Sequence, residues 1–503
     1  MSTRAAIVWF RRDLRLHDNE ALTDAMKHGD EVLPVYIFDP REWQGTLPLT
    51  ELPKVGPHRA RFILEAVADL RENLRKRGAD LIVRVGYPED VLVDLSKAAR
   101  ASWTFCNRER TSEELKVQNA VEQSLWTIGR EVYYSRGKLL YYTADLPFPI
   151  TQTPDTFTQF RKETERLTPV REPLPTPSKI PMVVDSGLEP GELPTLADFG
   201  IPEPVRDERS PIDWHGGETA GLDRLAYYLF DSHAIATYKQ TRNQLIGSHY
   251  STKFSAWLSQ GCLSPKRIYA EVKAYEAKNG ASDDTYWVIF ELLWRDFFRL
   301  MGKKHGDLIF RKRGFRDKHD AEWKLDRSLL QRWIDGQTGT PFVDANMREI
   351  AATGFMSNRG RQNVASYLVK DLKVDWRMGA EYFEHILIDY DVTSNWCNWN
   401  YVAGVGSDPR ENRYFNILSQ ADRYDPSGEY VKLWCPELSE LPGQYVHQPD
   451  VLNDAEQSQY GIRLGASYPM PLVPSEKYRN KPDPGGKGSK SKRGRGRRDR
   501  RYA

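Results

Sequence analysis

The chain has 503 residues, of which 40% are hydrophobic and 12% are aromatic, including 14 Trp. This length is too great for one ordinary hydrophobic core, so the composition predicts a globular protein of two or three domains. The four scattered cysteines show neither metal-ligand spacing nor a disulfide framework, so we expect buried thiols in a reducing compartment.

The net charge of +2 conceals a strongly basic C-terminus. Residues 481–503 contain ten Lys and Arg against Asp483 and Asp499, a charge of +8, which leaves −6 for the rest of the chain. The segment is rich in Gly and Arg and cannot bury a core, so we predict a disordered tail over 477–503. Two interpretations stay open: a solvated tail with no further role, or a sequence-independent grip on nucleic acid phosphates.

The N-terminal segment MSTRAAIVWF leads directly into a strand-like run. It has neither the basic and apolar regions of a signal peptide nor the amphipathic leader of an organellar protein. No apolar run in the chain is long enough to cross a bilayer. We therefore expect a cytoplasmic protein.

The first 135 residues alternate short apolar runs with amphipathic segments. This pattern predicts a doubly wound α/β domain over 1–135, with parallel strands covered by helices on both faces. The predicted strands are Ala5–Phe10, Val32–Phe38, Leu81–Val85, Trp103–Cys106 and Val132–Tyr134, and the predicted helices are Asn19–Lys27, His58–Arg77, Glu89–Ala99 and Ser112–Thr127.

The first strand-to-helix turn, WFRRDLRLHDNEAL, contains no glycine. A dinucleotide site needs glycines there, because the backbone must approach the pyrophosphate closely. We therefore expect no nucleotide in this domain. An Arg-rich turn of this kind either binds something else or caps a helix.

Residues 136–215 are a proline-rich connector with little periodicity, which indicates either a functional loop or a surface wrap between domains. Helical spacing without strand-like alternation then predicts an all-α domain over 216–476. Its predicted helices are Gly221–Asp231, Ser251–Ser259, Pro265–Lys278, Asp284–Lys304, Ser328–Asp335, Val343–Ala352, Arg359–Lys370 and Ala380–Leu387.

One face of the predicted helix 284–304 carries Glu291, Trp294, Arg295 and Phe298 at i, i+3, i+4 and i+7. A carboxylate, an indole and a guanidinium together suit a polar, ring-shaped ligand. The alternative is a salt-bridged surface face with one partly buried Trp, as on most such helices.

Three hydroxyl residues and a lysine, namely Ser251, Thr252, Ser255 and Lys253, stand at an expected helix N-terminus. Free backbone N–H groups, hydroxyls and an ammonium together favour an anion such as phosphate. A plain N-cap explains only part of this set.

The stretch 382–415 combines many aromatic rings and amides with the carboxylates of Asp389 and Asp391. Such groups orient a planar heterocycle, although each ring alone is more typical of a half-buried core edge. Upstream, Arg359 and Arg361 flank a glycine and suit either carboxylate pairing or phosphate contact.

The sequence contains no metalloprotease, Walker A or nucleophile-elbow motif, and its ten histidines do not cluster. We therefore expect neither a metal site nor acyl-transfer chemistry. The indoles of Trp323, Trp376 and Trp399 are typical of core residues; if they lie in series, they would instead form an electron-hopping path.

These motifs, in this order, resemble the photolyase/cryptochrome family from residue 5 to about 450. The N-terminal resemblance is carried by WFRRDLRLHDNEAL. The C-terminal resemblance is carried by GCLSP, ELLWRDFFR, ATGFMSNRGRQNVASYLVKDL and DYDVTSNWCNWNYVAGVGSDPRENRYFNI. The segments LPFPITQTPDTFTQFRKETE, NRERTSEE and YVKLWCPEL resemble the DASH cryptochrome branch in particular.

The resemblance implies that FAD lies in the all-α domain and that an antenna pigment, 5,10-methenyltetrahydrofolate, lies in the α/β domain. It implies that Arg361 and Asp389 form an ion pair beside the flavin ring and that Asn395 faces the flavin N5, where an amide favours the reduced cofactor. The other implied cofactor contacts are Tyr238, Ser251, Thr252, Lys253, Ser255, Asn358 and Asp391 for FAD, and Glu114 for the antenna.

By the same resemblance, Trp399, Trp376 and Trp323 form a tryptophan chain from the flavin outwards. Glu291 and Trp294 match the carboxylate and indole that contact a pyrimidine dimer. Two positions depart from duplex-specific photolyases, since Gln362 replaces a Met and Tyr401 replaces a second Trp. Both changes make the dimer pocket more polar. The cations expected to meet phosphates are Arg359, Arg410 and the basic tail.

The resemblance therefore predicts an enzyme that splits cyclobutane pyrimidine dimers in single-stranded DNA under blue light. A blue-light photoreceptor with little repair activity is the main alternative, and a light-independent nucleic acid binder with a vestigial flavin is a third. We expect a monomer whose tail could also bind RNA or duplex DNA.

Overall fold

The computed structural model describes residues 4–183, 187–317, 322–410 and 413–479. Most of the predicted disordered tail, residues 480–503, lies outside these ranges. Residues 477–479 of that prediction belong instead to a short helix, Glu476–Arg479.

The N-terminal domain is built on a parallel sheet whose strands lie in the order β3-β2-β1-β4-β5. The order reverses at β1, which is the topology of a doubly wound sheet and confirms the predicted fold class. The strands are β1 (Ala5–Phe10), β2 (Glu31–Phe38), β3 (Ile82–Val85), β4 (Ala101–Asn107) and β5 (Glu131–Ser135).

Both faces of this sheet are covered because successive strand residues point to opposite sides. Val8 packs into the larger core, with helix Pro57–Arg75, and Ile7 packs into a second core, with helices Pro88–Ala98 and Ser112–Trp126. The remaining helices of the domain are Glu20–His28 and Pro40–Trp43.

Backbone hydrogen bonds hold the connector against the α/β domain, so it is not a free loop. The N–H of Ile180 donates to the carbonyl of Arg77 at 2.9 Å, and the N–H of Val83 donates to that of Pro190 at 2.7 Å. Part of the connector, Phe157–Leu167, is an α-helix that the weak periodicity of the segment did not indicate. Its Phe157 and Phe160 are buried, so tertiary packing stabilises the helix.

The second domain is helical, as predicted, and in the described residues after β5 the extended pairings are isolated bridges such as Lys324 with Val374. Its α-helices are Glu218–Ala226, Tyr238–Thr241, Ser255–Ser259, Pro265–Asn279, Asp283–His305, Arg327–Ile334, Pro341–Thr353, Asn358–Ser366, Trp376–Ile386, Val392–Ala403, Ile417–Tyr424, Glu429–Trp434, Gly443–Val446 and Asp454–Gln459. Two of these helices are extended by single π-turns, Tyr227–Asp231 and Tyr367–Asp371. The 3-10 turns of this domain are Ala234–Thr237, Gly306–Phe310, Pro436–Leu438 and Pro449–Val451, and those of the connector are Ile150–Gln152 and Ala197–Phe199.

Two differences from the predicted helices matter for the site. The helix expected from Ser251 begins only at Ser255, because Lys253 adopts a left-handed backbone with φ of 58°. Helix Val392–Ala403 was not predicted, although Asp391 caps it by accepting from the N–H of Ser394 at 2.9 Å.

The Arg-rich turn after β1 joins the two domains. Arg15 donates to the carbonyl of Gly261 at 2.8 Å, and Asp18 pairs with Lys266 at 2.7 Å. Asn19 caps the following helix by accepting from the N–H of Leu22. The glycine-free sequence of this turn is therefore explained mainly by interdomain contacts, and partly by a helix cap.

Glu218 is the centre of this junction. Its carboxylate accepts from the backbone N–H groups of Leu16 and His17 at 2.9 Å each, and from His17 Nδ1. His17 Nε2 in turn accepts from the N–H of Ser264 at 3.2 Å, which fits a neutral imidazole. Burial lowers the pKa of His17. For Glu218, burial raises the pKa, but the bonds from His17 outweigh this effect and bring the pKa of Glu218 below its usual value.

We predict that Glu218→Ala destabilises the protein by about 3 kcal/mol or more, since it leaves two buried N–H groups without an acceptor. The matched control is Asp223→Ala, exposed on the same helix, which should change stability by no more than about 0.5 kcal/mol. Urea unfolding of both variants measures the difference.

The pH dependence gives a second readout of the same junction. Both groups have folded pKa values below their unfolded ones, so their stabilisation is present above about pH 6.5 and is lost as the pH falls through the two folded values. An Asp223→Ala effect as large as that of Glu218→Ala, or acid sensitivity unchanged by Glu218→Ala, would contradict this account.

Candidate active site

The all-α domain contains a cavity of about 310 Å³, hereafter the first cavity. Ligand pockets of small molecules fall in this size range. Ten residues predicted to contact a cofactor line it: Tyr238, Ser251, Thr252, Lys253, Ser255, Asn358, Arg361, Asp389, Asp391 and Asn395.

Lys253 is buried in the first cavity with its Nζ unpaired by any hydrogen bond within the described residues. The ammonium lies 3.3 Å from the centre of the Tyr250 ring, a cation–π contact. Arg224 holds the preceding loop by donating to the carbonyls of Ser251 and Thr252. Burial, and then Arg224, lower the pKa of Lys253 well below its ordinary value, so an anion in the cavity would supply the missing partner.

Asp389 provides an acceptor to the same cavity. Its Oδ2 pairs with Arg361 Nη2 at 2.8 Å, whereas its buried Oδ1 has no hydrogen-bond partner in the described residues. Arg361 is fixed in turn by a bond from Nε to the carbonyl of Met356 at 2.9 Å. A ligand N–H donor would satisfy the free oxygen.

Asn395 presents an oxygen rather than a nitrogen to the first cavity. Its Nδ2 donates to the carbonyl of Ala380 at 2.9 Å, which fixes the orientation of the amide and leaves Oδ1 as the available acceptor. The residue lies one turn inside helix Val392–Ala403 and is buried.

The three indoles of the predicted chain lie in neighbouring positions. Trp399 lines the first cavity, and its ring packs on Gly379, one turn beyond Trp376. Trp376 Nε1 donates to the carbonyl of Lys312 at 3.0 Å, and Lys312 Nζ donates to the carbonyl of Trp323 at 2.9 Å. Lys312 therefore links the indole of Trp376 to the backbone of Trp323.

Four of the predicted substrate residues lie at or beside the first cavity, and we call this set its mouth. Glu291 and Gln362 line the cavity itself, Trp294 lies one helical turn after Glu291, and Tyr401 precedes the lining residue Val402. Trp294 and Tyr401 stand edge to face with ring centres 6.1 Å apart, and Arg359 donates to Gln362 Oε1 at 2.8 Å. Burial raises the pKa of Glu291, while its ion pair with Arg242 lowers it.

Arg410 differs from the other predicted substrate residues. It is exposed on the loop that follows helix Val392–Ala403, and its backbone N–H donates to Asp408 at 3.0 Å. Within the described residues, no contact joins it to Glu291, Trp294 or Gln362.

The connector contributes a ring that the sequence did not single out. Phe157 stacks on Trp294 with ring centres 3.7 Å apart and planes 10° from parallel, so one face of the indole is covered. The sequence also gave no role to Arg242, which pairs with Glu291, although its spacing four residues after Tyr238 on a helical segment is a usable signal.

A second cavity, of about 900 Å³, lies between the two domains. Glu114, the predicted antenna contact, lines it together with Glu113 and the ends of β1 and β2. Its other wall comes from the helical domain, including Arg377, Glu381 and Trp396. The cavity extends to the point where the strand order reverses, the usual ligand position in such sheets, so the absence of a glycine motif did not exclude a ligand site there.

A single stretch of chain separates the two cavities. Asp389 and Asp391 line the first cavity, whereas Tyr390 lines both. The hydroxyl of Tyr390 donates to Glu384 at 2.6 Å and accepts from Trp396 Nε1 at 3.3 Å, and both of these residues line the second cavity.

A buried chain of charges also crosses between them. Asp391 pairs with Arg299 at 2.6 Å, Arg299 pairs with Glu109 at 3.3 Å, and Glu109 pairs with Lys138. Asp391 lines the first cavity and Glu109 lines the second. Burial raises the pKa of Asp391, but Arg299 and then Arg295 lower it far below its usual value, so Asp391 is ionised.

Among the described residues, no helix is long and apolar enough to cross a membrane, and no three His, Cys, Asp or Glu side chains come together as a metal site.

Two family models match the chain. DNA photolyase matches residues 6–178, and the FAD binding domain of DNA photolyase matches residues 287–482. The chain is 51% identical to the cryptochrome DASH of Gloeobacter violaceus over 94% of either chain. It is 49% identical to that of Xenopus laevis over 94% of this chain and 90% of the relative.

A solved structure gives the same result for the fold. The crystal structure of the cryptochrome from Synechocystis sp. is 46% identical, covers 95% of this chain and 99% of its own, and superposes with a TM-score of 0.91. The fold and its first cavity thus define an FAD-binding, two-domain flavoprotein. The chain belongs to the photolyase/cryptochrome family, in its DASH cryptochrome branch, which confirms the resemblance.

The groups that line the first cavity fit FAD. The unpaired ammonium of Lys253 suits the diphosphate, and the free oxygens of Asp389 and Asn395 suit N–H donors of the flavin ring. Lys253 comes from the cluster of hydroxyl residues at 251–255, and Asp389 and Asn395 come from the stretch 382–415. Both segments that were expected to contact the cofactor therefore line the cavity.

We predict opposite effects of Lys253→Met on the empty and the loaded protein. In apoprotein the change removes a buried, unpaired charge, so stability stays equal or rises. FAD affinity falls about ten- to hundredfold, because a bond to a charged group is worth about 1.5–3 kcal/mol. Urea unfolding of apoprotein and fluorescence titration with FAD measure the two effects.

Lys97→Met, at an exposed site on helix Pro88–Ala98, is the matched control and should leave both quantities unchanged. Unaltered FAD affinity in Lys253→Met would show that this lysine does not hold the cofactor.

Proposed function

We propose that this protein is a photolyase that splits cyclobutane pyrimidine dimers in single-stranded DNA under blue light. The observation that carries the proposal is the shared opening of the first cavity. The cavity is lined by the candidate FAD contacts and also by Glu291 and Gln362, and Trp294 and Tyr401 are neighbours in sequence of lining residues and contact each other. A base that binds beside Glu291 and Gln362 would therefore meet the flavin site directly.

The residues of the first cavity would hold reduced FAD, which would supply the electron that opens the dimer and take it back afterwards. Lys253, with the hydroxyls of Ser251, Thr252 and Ser255, would bind the diphosphate. Asn395 Oδ1 would accept a hydrogen bond from the flavin N5–H and so favour the reduced form, since oxidised N5 carries no proton.

Other side chains bind and orient the flipped dimer. Trp294 offers the indole face opposite Phe157 for stacking, and that support fixes the indole plane. Glu291, whose pKa is raised by burial, holds a hydrogen bond to a pyrimidine edge, and Arg242 positions its carboxylate. Arg359 and Arg410 meet phosphates, as would the basic tail.

The single-strand preference follows from the polarity of the mouth. Gln362 accepts from Arg359, and the hydroxyl of Tyr401 accepts from Arg413 at 2.8 Å, so both are engaged in polar networks. A polar mouth gains less binding free energy from stacking on an apolar dimer than an apolar mouth would. Extracting the dimer from a duplex costs a few kcal/mol more than extracting it from a single strand, so the single strand becomes the preferred substrate.

A photoreceptor function is the alternative, and the three indoles favour it. Trp399, Trp376 and Trp323 lead from the cavity wall through Lys312 to the 9%-exposed Trp323. Such a series lets the flavin be reduced by light without any substrate. Repair requires a DNA base to bind at the mouth of the first cavity, whereas signalling does not.

The second cavity is the proposed antenna site, with 5,10-methenyltetrahydrofolate as the ligand. Glu114 and Glu113 would accept hydrogen bonds from the aminopyrimidinone edge of the pterin. Because one stretch of chain separates the cavities, a pigment bound there lies close enough to pass excitation energy to the flavin site.

The test of function is repair of a thymine-dimer oligonucleotide, single-stranded and duplex in parallel, under blue light with reductant. We expect cleavage of the single strand and about 10- to 1,000-fold slower cleavage of the duplex, from a flipping cost of a few kcal/mol. Glu291→Ala should weaken both reactions. The double variant Gln362→Met, Tyr401→Trp should raise duplex cleavage selectively.

Equal cleavage of both substrates would refute the role given to Gln362 and Tyr401. Absence of cleavage from protein whose FAD still photoreduces would refute repair and support the photoreceptor alternative.

For the antenna we predict that Glu114→Ala weakens folate binding about tenfold or more while FAD content stays unchanged. Glu122→Ala, exposed on the same helix, is the matched control. Folate retention is read from its near-ultraviolet absorbance. Normal retention by Glu114→Ala would remove this residue from the site.

A further inference from the structure

The indole of Trp376 touches a ring outside the predicted tryptophan chain. Its ring centre lies 5.8 Å from that of Trp396, with the two planes 77° apart. Its link to Trp323 runs instead through the backbone and side chain of Lys312. Electron transfer between rings slows steeply with distance, so an electron vacancy that reaches Trp376 has a direct route to Trp396. This contact offers a side branch from the chain.

The indole N–H of Trp396 faces a group that can take up its proton. Nε1 donates to Glu384 Oε2 at 3.4 Å and to the hydroxyl of Tyr390 at 3.3 Å. Nε1 of Trp376 donates instead to the backbone carbonyl of Lys312, which cannot hold a proton at neutral pH. Because an oxidised indole is far more acidic than the indole itself, an electron vacancy is better stabilised at Trp396 than at Trp376.

Tyr390 extends the branch by one more ring, and its proton also has a defined acceptor. The hydroxyl donates to Glu384 at 2.6 Å. Burial, and then Glu384, raise the pKa of Tyr390 well above its ordinary value, so the phenol keeps its proton at rest. Burial also raises the pKa of Glu384, and the opposing effect of Arg59 does not cancel this rise. Glu384 is therefore a stronger base than an exposed carboxylate.

The charges beside Tyr390 favour an uncharged radical over a radical cation. The guanidinium of Arg59 lies 4.8 Å from the centre of the Tyr390 ring, and that of Arg12 lies 5.9 Å from it. Both would repel a positive charge on the ring. A phenoxyl radical that has passed its proton to Glu384 is neutral, so oxidation of Tyr390 is tied to that proton transfer.

We propose that Trp396, Tyr390 and Glu384 form a proton-coupled electron donor that branches from the tryptophan chain at Trp376. One electron passes from Trp399 to the photoexcited, oxidised flavin of bound FAD. Trp399 recovers an electron from Trp376, and Trp376 recovers one through Trp396 from Tyr390. The O–H bond of Tyr390 breaks, and its proton binds to Glu384. The net products on the protein are a neutral tyrosyl radical and a protonated carboxylate.

This donor acts on flavin photoreduction and does not depend on dimer repair. Trp396, Tyr390 and Glu384 all line the second cavity, so the branch leads away from the residues that we assign to DNA. The electron can return to Tyr390 only when the proton returns as well. The donor therefore prolongs the separated charges and raises the yield of photoreduced flavin.

The experiment uses full-length protein loaded with oxidised FAD, without DNA. Transient absorption after a blue flash, and electron paramagnetic resonance of samples frozen under illumination, distinguish tyrosyl from tryptophanyl radicals. We expect a tyrosyl radical in the unmodified protein. It should form more slowly in D₂O than in H₂O, because its formation moves a proton.

Tyr390→Phe keeps the ring but removes the phenolic proton, so the tyrosyl signal should disappear. The radical state should also decay about tenfold faster or more, the factor that a hydrogen bond to a charged group contributes to an equilibrium constant. Glu384→Gln removes the base and should have the same two effects.

The matched control is Tyr430→Phe, compared at equal FAD content. Tyr430 is also buried and also donates to a carboxylate, that of Glu349, at 2.6 Å. Among the described residues its ring contacts that of Phe342 and no indole, so it has no route to the tryptophan chain. Tyr430→Phe should keep both the tyrosyl signal and the lifetime of the radical state.

A tyrosyl signal that persists in Tyr390→Phe would place the radical on another tyrosine and overturn the inference. Persistence in Trp396→Phe would overturn it too, because the electron would not pass through that indole. Photoreduction of the flavin that yields only tryptophanyl radicals in the unmodified protein, or equal rates of tyrosyl formation in D₂O and H₂O, would likewise refute the proton-coupled donor.

Discussion

The buried chain Asp391–Arg299–Glu109–Lys138 is the interaction on which both cavities depend. Its four side chains are each at most 9% exposed, and their charges alternate and sum to zero. Removing any one member would leave a buried charge uncompensated, a loss of about 3–5 kcal/mol. Asp391 also caps helix Val392–Ala403, so the same chain fixes Asn395 and Trp399 against the first cavity. Electrostatics at the domain junction therefore set the geometry of the flavin site.

The structure of this region also explains why the two cavities lie so close without merging. The wall between them is one stretch of chain in which Asp389 and Asp391 face one cavity and Tyr390 lines both. Tyr390 is held by Glu384 and Trp396 on the other side. These three side chains bond to Arg361, to Glu384 and Trp396, and to Arg299, all within the helical domain, so that domain itself holds the wall.

Much of this architecture was predictable from the sequence, and the rest was not for identifiable reasons. The apolar runs of β1 to β5 and the helical spacing around Glu291 reflect local periodicity, which the sequence displays directly. Helix Val392–Ala403 was missed because its aromatic and asparagine residues are weak helix formers that tertiary packing overrides. The helix predicted from Ser251 begins only at Ser255, because Lys253 has a left-handed backbone that the run of hydroxyl residues does not reveal. The second cavity combines residues from distant segments, such as Glu114 and Trp396, so no single stretch carries its signal.

Under the proposed function, the mouth of the first cavity separates substrate choice from electron supply. Lys253 and Asp389 are buried, whereas Gln362 and Tyr401 belong to half-buried networks with Arg359 and Arg413. Changes at Gln362 or Tyr401 would therefore alter which DNA is accepted without disturbing these two buried charges of the proposed cofactor site. The connector completes this division, because Phe157 stiffens Trp294 from outside the helical domain. The connector reaches helix Asp283–His305 soon after β5, because the backbone N–H groups of Leu140 and Tyr141 donate to Asp296, two residues from Trp294.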